Sequence, residues 1–488
     1  MNSYRITLSK NDVAYIPLEF WNDLKSGLIF ARITALTDLS IDRAAYVTSC
    51  KPISTVRLGL VITHFNRQKY VTAAINRIKN SILSDPNFGN IELFVIDNSS
   101  NLDLSLSTNK VFIIKNKNVG GSGGFTRGLL ELERNGFTHC CFMDDDASCD
   151  VESIRRTLRF FEYANKSLRM GLGGTLLFDD EPNLTIETGG KYYRGRWSPV
   201  NHRFDVSSDH EVAIVDKFAN LGNYGAWCYF AFAIKDVKHY AYPFFVRGDD
   251  VFFSLQNNFK ITTVNGICTW VENFGIKESP ITRYLGLRAT LVISLLQGNM
   301  TVSRFLKEFY RWHHTALVSY SYASASAIEY AIVDILRGPS VFSEDIDGSK
   351  FRAKIKPLQL KEALNVEPTS IKFKRSKPLN GLAMKILRKV TFNGLMIPST
   401  LFNGICFQNK DFGARAAEVF LSKRIYFYNR NTDLGYIGTY SKSAVIKHIA
   451  RRIYLIFKVL VKYKKVAAQY RDSADRLTSK QFWESQFK

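Results

Sequence analysis

Three consecutive aspartates, Asp144, Asp145 and Asp146, follow the apolar run HCCFM. Adjacent carboxylates repel one another, and the repulsion is costly unless a cation offsets it. Alternate residues leaving a strand point the same way, so Asp144 and Asp146 make a pair of oxygen donors for a divalent ion. A solvated acidic loop, or a cap for the helix after Asp150, is the plainer alternative. The position directly behind a buried strand favours metal.

A second constellation is NVGGSGGFTRG, from Asn118 to Gly128, with Arg127 near its end. Gly120, Gly121, Gly123 and Gly124 precede an expected helix, whose free N–H groups would face an anion such as a diphosphate. A flexible glycine turn is the alternative. The segment is not a Walker loop, and it follows the third strand, whereas a dinucleotide fingerprint belongs after the first.

The third is RGDDVFFSL, in which Asp249 and Asp250 open a short helix. A carboxylate there is either a helix cap or a general base. A neighbouring charge raises the proton affinity of such a base. One base opposite a leaving group implies direct displacement, hence inversion. Asp97, at the end of FVID, is a candidate for a base or ribose hydroxyl, or an Asx-turn residue. Thr63, Asn66 and Arg67 follow the first strand, where a nucleotide would lie. Trp227 is either a sugar-stacking platform or a core tryptophan.

These residues need a sheet to bring them together. From Arg57, apolar runs (RLGLVITHF, IELFVID, VFIIKN, HCCFMD, Leu172 to Phe178) alternate with helices expected at Val71 to Ser84, Phe125 to Asn135 and Val151 to Ala164. That pattern predicts a parallel α/β sheet, which binds ligands at the carboxyl ends of its strands. Short alternating pieces in residues 1–54 suggest a small β module. Beyond Leu285 the pattern turns helical, with a linker expected over residues 338–380.

Seven cysteines, odd in number and without a CxxC pair, read as reduced thiols rather than a disulfide framework or zinc site. No run is apolar enough for a membrane span, and the N-terminus does not read as a signal peptide. The net charge of +22 is unevenly spread: residues 351–488 hold 28 Lys/Arg against 8 Asp/Glu. Such a block suggests an anionic partner surface. Ser443 to Tyr470 reads as a basic amphipathic helix, with Ile446, Ile449, Ile453, Ile456, Leu460 and Tyr463 on one stripe and Lys447, Arg451, Lys458, Lys462 and Lys465 largely off it. It would lie on an anionic membrane or pack on the core. No nucleic-acid recognition motif accompanies the charge.

Taken in order, THFNR, NVGGSGGFTRG, FMDDDA, YGAW, PFFVRGDDVFFSL and TWVENF followed by YLGLRATLV resemble the bacterial galactofuranosyltransferases of glycosyltransferase family 2, over about residues 57–293. The resemblance implies a GT-A (Rossmann-like) catalytic domain. It implies Mn2+ or Mg2+ on Asp144 and Asp146, with Asp145, Asn118, Arg127 and the glycines on the donor nucleotide, and Asp250 as base. The chain departs from the family at several points. Gly248 stands for a tryptophan, Ala226 and Trp227 for a tryptophan pair, and Val271 for a histidine ligand, so Glu272 is the neighbouring candidate for the third ligand.

The resulting expectation is three parts: 1–54, a small β-rich module; 55–300, the GT-A domain; 301–488, a helical, basic, membrane-associating region. The expected activity is inverting transfer of galactofuranose from a UDP-sugar to a lipid-linked glycan acceptor. It would take place in the cytoplasm, peripherally at the inner face of a bacterial membrane, without nucleic acid. A homo-oligomer is compatible with it. The alternatives are a dTDP-rhamnose rhamnosyltransferase, a non-catalytic membrane- or polyanion-binding protein on the same scaffold, and, more weakly, a nucleotidyltransferase.

Overall fold

The run LGLVITH is buried at every position and forms β1 (Leu58–His64). A strand apolar on both faces needs helices above and below it. The computed structural model describes residues 4–9, 11–24, 27–42, 44–371, 381–391, 393–410 and 416–487. After β1 come α1 (Gln68–Ile78), β2 (Ile91–Asp97), β3 (Val111–Lys115), α2 (Gly120–Arg134), β4 (His139–Asp144), β5 (Ser148–Cys149), α3 (Val151–Tyr163) and β6 (Met170–Phe178). Then follow β7 (Thr185–Glu187), β8 (Gly190–Tyr192), β9 (Trp197–Pro199), α4 (Asp209–Phe218), β10 (Tyr229–Ala233), α5 (Asp249–Gln256) and β11 (Lys260–Val271).

The main sheet runs β3-β2-β1-β4-β10-β6-β11-β5, with β7 on β6. β3, β2, β1 and β4 are parallel, as expected from the alternation of strands and helices. β10 lies antiparallel between β4 and β6, which carries the residues preceding it to the carboxyl end of β4. α1 buries Val71, Ala74, Ile75 and Ile78 against this sheet and continues as a π-helical turn, Lys79–Leu83.

The glycine-rich stretch differs from expectation: it forms the first turns of α2 rather than a loop before it. Packing explains this. A Cβ on Gly124 would lie 2.3 Å from the Thr63 methyl, so only glycine lets α2 sit directly on β1. Gly120 takes φ +72, and a Cβ there would strike the Phe245 carbonyl.

The second half is helical around α6 (Pro280–Leu296), α7 (Val302–Val318), α8 (Tyr322–Ile335), α9 (Ser340–Glu344), α10 (Ser349–Lys361) and α11 (Leu382–Val390). The linker expected at 338–380 is thus partly helical; residues 372–380 lie outside the described residues. A small sheet not foreseen from sequence follows, β12 (Asn403–Asn409), β13 (Ser422–Asn429) and β14 (Leu434–Thr439), with the short α12 (Ala416–Val419) between its first two strands. Then come α13 (Lys442–Leu477) and α14 (Lys480–Gln486). There is no break at residue 300, because Tyr242, Phe244 and Phe252 share one core with α6, α8 and α13.

Two expectations need correction. Among the described residues of 1–54 no strand forms; the one regular element is a 3-10 turn at Glu19–Asp23, and Val13, Tyr15, Trp21 and Phe30 are exposed. Short alternating runs without a partner ladder and a shared core gain too little to order as a sheet. On α13, the buried face is His448, Leu455, Val459, Val466, Tyr470 and Leu477. Ile446, Ile453 and Leu460, expected on the single apolar stripe, are more than half exposed. The helix therefore has two apolar faces, and tertiary packing covers one.

α14 returns the chain to the first domain. Trp483 is fully buried, donates its indole N–H to the Ala241 carbonyl at 2.8 Å, and packs beside Gly123 of α2. Trp483→Ala is expected to destabilise the protein by about 3–5 kcal/mol, as large-to-small core substitutions do. Urea denaturation followed by circular dichroism measures it. A change under about 1 kcal/mol would show that α14 does not brace α2.

Candidate active site

β4 ends at Asp144 on the carboxyl edge of the sheet, and the three aspartates then diverge. Asp145 turns inward. It accepts from Arg67 Nη1 at 2.8 Å and from the Phe65 N–H at 3.1 Å, and lies 3.3 Å from His64 Nδ1. Burial opposes its charge, but the bonds from His64 and Arg67 outweigh that and hold the carboxyl below its ordinary value. Asp145 is thus a hub tying β4 to the segment after β1.

Asp144 lies in the opposite electrostatic situation. Burial, then repulsion from Asp146 and Asp145, pushes its carboxyl up to about 7. The Cys228 thiol donates to it at 3.4 Å. Asp146 meets Arg67 Nη1 at 3.2 Å and the Lys277 ammonium at 3.2 Å.

Gly248 caps the start of α5, and its φ of +91 is a left-handed conformation that a tryptophan would adopt only under strain. That turn places Asp249 and Asp250 at the helix start. Ser122 Oγ donates to Asp249 Oδ2 at 2.9 Å, joining this pair to the start of α2. Burial and the charge of Asp250 push Asp249 up to about 8. Burial raises Asp250 to about 6, against the backbone N–H bonds that favour its charge.

The buried Cys228 thiol, in contact with Asp144, is raised by burial first and then by the charges of Asp144, Asp146 and, least, Asp250, so both acidic groups act on it electrostatically. Glu187 at the end of β7 joins them: burial and the charge of Asp250 push it up to about 8.

Other sequence candidates fall as follows. Thr63 is buried with an unpartnered hydroxyl. Asn66 adopts φ +56 and donates its N–H to Ser99 Oγ. Asp97 is buried and accepts from Ser99 N, Ser99 Oγ and Leu102 N, an Asx turn. Asn118 accepts from the Gly120 N–H, Ser122 N–H goes to the Phe245 carbonyl, and Gly123 N–H to Val119. Gly121 is the residue of that first turn whose N–H has no bond among the described residues. Arg127 lies two turns along α2, paired with Glu131 at 2.9 Å and over the Phe487 ring. Trp227 is 5% exposed and packs edge-on against Phe125, Phe142 and Phe253, a core position, with its N–H unpartnered. Glu272 meets Lys277 at 3.2 Å and accepts from Asn431 at 2.9 Å.

Sequence reasoning missed His64, Glu187, Cys228, Ser122 and Lys277. His64 was visible within THFNR, and Glu187 ends a short apolar run. The other three carry no local signal, because only the fold brings them to the cleft.

The donor set fits a divalent cation. Asp144 and Asp146 are hard oxygen donors on one strand edge; Asp144 has no cation beside it, while Asp146 is held by Arg67 and Lys277. Fold and cleft together define a GT-A type α/β domain with a helical C-terminal region. Residues 60–172 match the family model "Glycosyl transferase family 2". The chain is 25% identical over 243 residues to galactofuranosyltransferase GlfT2 of Mycolicibacterium smegmatis, covering 46% of this chain and 37% of that protein. To GlfT2 of Mycobacterium tuberculosis it is 24% identical over 357 residues, covering 65% and 54%. The chain thus spans about a third to a half of the length of these curated relatives. Among solved structures it is similar to the mannosyltransferase PcManGT from Pyrobaculum calidifontis in complex with GDP-Man and Mn2+, at TM-score 0.34 and 10% identity, covering 65% of this chain and 86% of that one.

The raised carboxyls carry a stability consequence. Glu187 keeps its proton to about pH 8 when folded, whereas the unfolded chain releases it near the ordinary glutamate value, about 4.5. The unfolded state then binds fewer protons, so this group's contribution is complete below about 4.5 and is lost as pH rises through 8. Glu187→Gln lacks that titration. Its melting temperature relative to wild type is expected to climb between pH 5 and pH 8.5 in metal-free buffer. A difference that does not vary with pH would place Glu187 in water rather than in the cleft.

Proposed function

We propose that the protein is a metal-dependent, inverting glycosyltransferase that moves galactofuranose from UDP-galactofuranose to a lipid-linked glycan acceptor. The observation that carries this reading is Cys228, which bonds Asp144 at the end of β4 and also feels the charges of Asp146 and Asp250. A cation site and a base sharing a single cleft suit transfer from a nucleotide sugar. The order of the motifs and the similarity to GlfT2 support the choice of sugar.

Asp144 and Asp146 would hold Mn2+ or Mg2+, and Glu272 is the neighbouring third donor once Lys277 is released from it. The bound ion supplies Lewis-acid neutralisation of the departing diphosphate. Arg67 and Lys277 add positive charge beside it. The free Gly121 N–H at the start of α2 is placed to donate to a phosphate oxygen. Asp250 takes the acceptor hydroxyl proton as that oxygen attacks the anomeric carbon from the face opposite the leaving group. With its carboxyl raised to about 6, Asp250 is ionised at neutral pH and still basic enough to accept the proton. Asp249, tied to Ser122, positions it.

A dTDP-rhamnose transferase is the second reading. It is favoured by Gly248 and Ala226, where the resembled family has tryptophans, and by the core position of Trp227. Nucleoside diphosphate release from each sugar nucleotide, with manganese present, separates the two. UDP-galactofuranose is expected to turn over and dTDP-rhamnose not, with kcat/KM rising through about pH 6. Asp250→Asn should lower turnover by about 10²–10⁴-fold. Full turnover in that variant would remove the base, and turnover after chelation would remove the metal.

The acceptor side of the proposal places the protein peripherally at the inner face of the bacterial membrane. Among the described residues no helix is long and apolar enough to cross a membrane. Ile446, Ile453, Phe457, Leu460 and Val461 on the outer face of α13 are exposed, and Lys447, Arg451, Lys458 and Lys462 flank them. Anionic lipid complements this face, each basic residue contributing about 1 kcal/mol. Phe457→Ser with Leu460→Ser is expected to weaken sedimentation with phosphatidylserine vesicles at least about tenfold, since each side chain is worth about 1.5–3 kcal/mol on burial. Unchanged sedimentation would exclude α13 as the contact.

A further inference from the structure

The helical half holds a second cluster of metal-ligating side chains, remote in sequence from the cleft. His313 of α7, Glu329 of α8 and His448 of α13 are all buried, and their ligand atoms lie within 4.8 Å of one another. Among the described residues this is the one group of three His, Cys, Asp or Glu so arranged. His313 Nε2 lies 2.9 Å from Glu329 Oε1, and His448 Nδ1 lies 2.7 Å from the same oxygen.

We propose that His313, Glu329 and His448 form a three-ligand zinc site that pins α13 to α7 and α8. Two imidazoles and one carboxylate are a donor set that zinc accepts, with a fourth position left for water. Bond lengths of about 2.0–2.1 Å to a tetrahedral ion put neighbouring ligand atoms about 3.3 Å apart. The present spacings of 2.9 and 2.7 Å need to open by only about half an ångström. The rings are held in place for this. His448 stacks on Tyr322, ring planes 11° apart, and His313 packs on Phe309.

The buried Nδ1 of His313 has no partner among the described residues, so the ring's N–H can sit there while Nε2 faces the ion. Arg452 is the charged neighbour that opposes a cation, and it lies over the Tyr310 ring, 4.7 Å from its centroid.

The competing account is a metal-free clasp in which Glu329 accepts an N–H bond from each ring. Full-length, untagged protein is incubated with zinc chloride, desalted and analysed for metal. About one equivalent of zinc is expected in Asp144→Asn, which leaves the cleft site out of the count. Adding Glu329→Gln to Asp144→Asn should lower the zinc at least fivefold. Chelation should lower the wild-type melting temperature by about 3 °C or more. Should the double variant fail to fold, cobalt substitution of Asp144→Asn decides: intense visible bands of a four-coordinate nitrogen–oxygen site support the proposal, and their absence overturns it. Folded Asp144→Asn that retains no zinc, or a folded double variant that retains as much, also overturns it. This test reads metal and stability alone, so its failure leaves the glycosyltransferase proposal untouched.

Discussion

Carboxyl groups buried close to one another, where ionisation is resisted, are the constraint around which this molecule is built. Asp144, Asp249, Asp250 and Glu187 are all pushed above the ordinary carboxyl range, and burial is the leading cause in each. Two like charges at roughly 5 Å, with an effective dielectric constant of about 20, repel by on the order of 3 kcal/mol. A fold optimised for stability alone would have placed cations or apolar groups there. Here the middle aspartate is neutralised by Arg67 and His64, while its two neighbours face the cleft. Asp145 anchors the loop, Asp146 is held by Arg67 and Lys277, and Asp144 is left with no cationic partner.

That arrangement holds only if α2 and α5 start where they do. The glycines of α2 serve close packing at least as much as anion binding: Gly124 admits Thr63, and three N–H groups of the first turn are already bonded. The Ser122–Asp249 bond then couples the start of α2 to the start of α5.

The C-terminal half is joined to this site at both ends. Its helices share one core with Tyr242, Phe244 and Phe252, and Trp483 braces α2 from behind. α13 is thus a support of the first domain on one face and an exposed basic-apolar surface on the other. Its polar crossing with α7 and α8, at His448, His313 and Glu329, interrupts an otherwise apolar contact and fixes which face turns inward.

The strands and helices of the first domain were legible in sequence because fully buried parallel strands are continuous apolar runs, and β1, β2 and β4 are such runs. The triplet after β4 and the pair at α5 were legible for the same reason, since each sits at the end of a clear element. Burial of Trp227, the inward turn of Asp145, the second apolar face of α13 and the loss of strands in 1–54 were not. Each depends on which partner surface is present, and periodicity along one segment holds no record of that. Residue types and order therefore determined the sheet and the chemistry available at its edge. Tertiary structure alone decided which carboxylates are buried together, because desolvation and charge repulsion are set by neighbours distant in sequence.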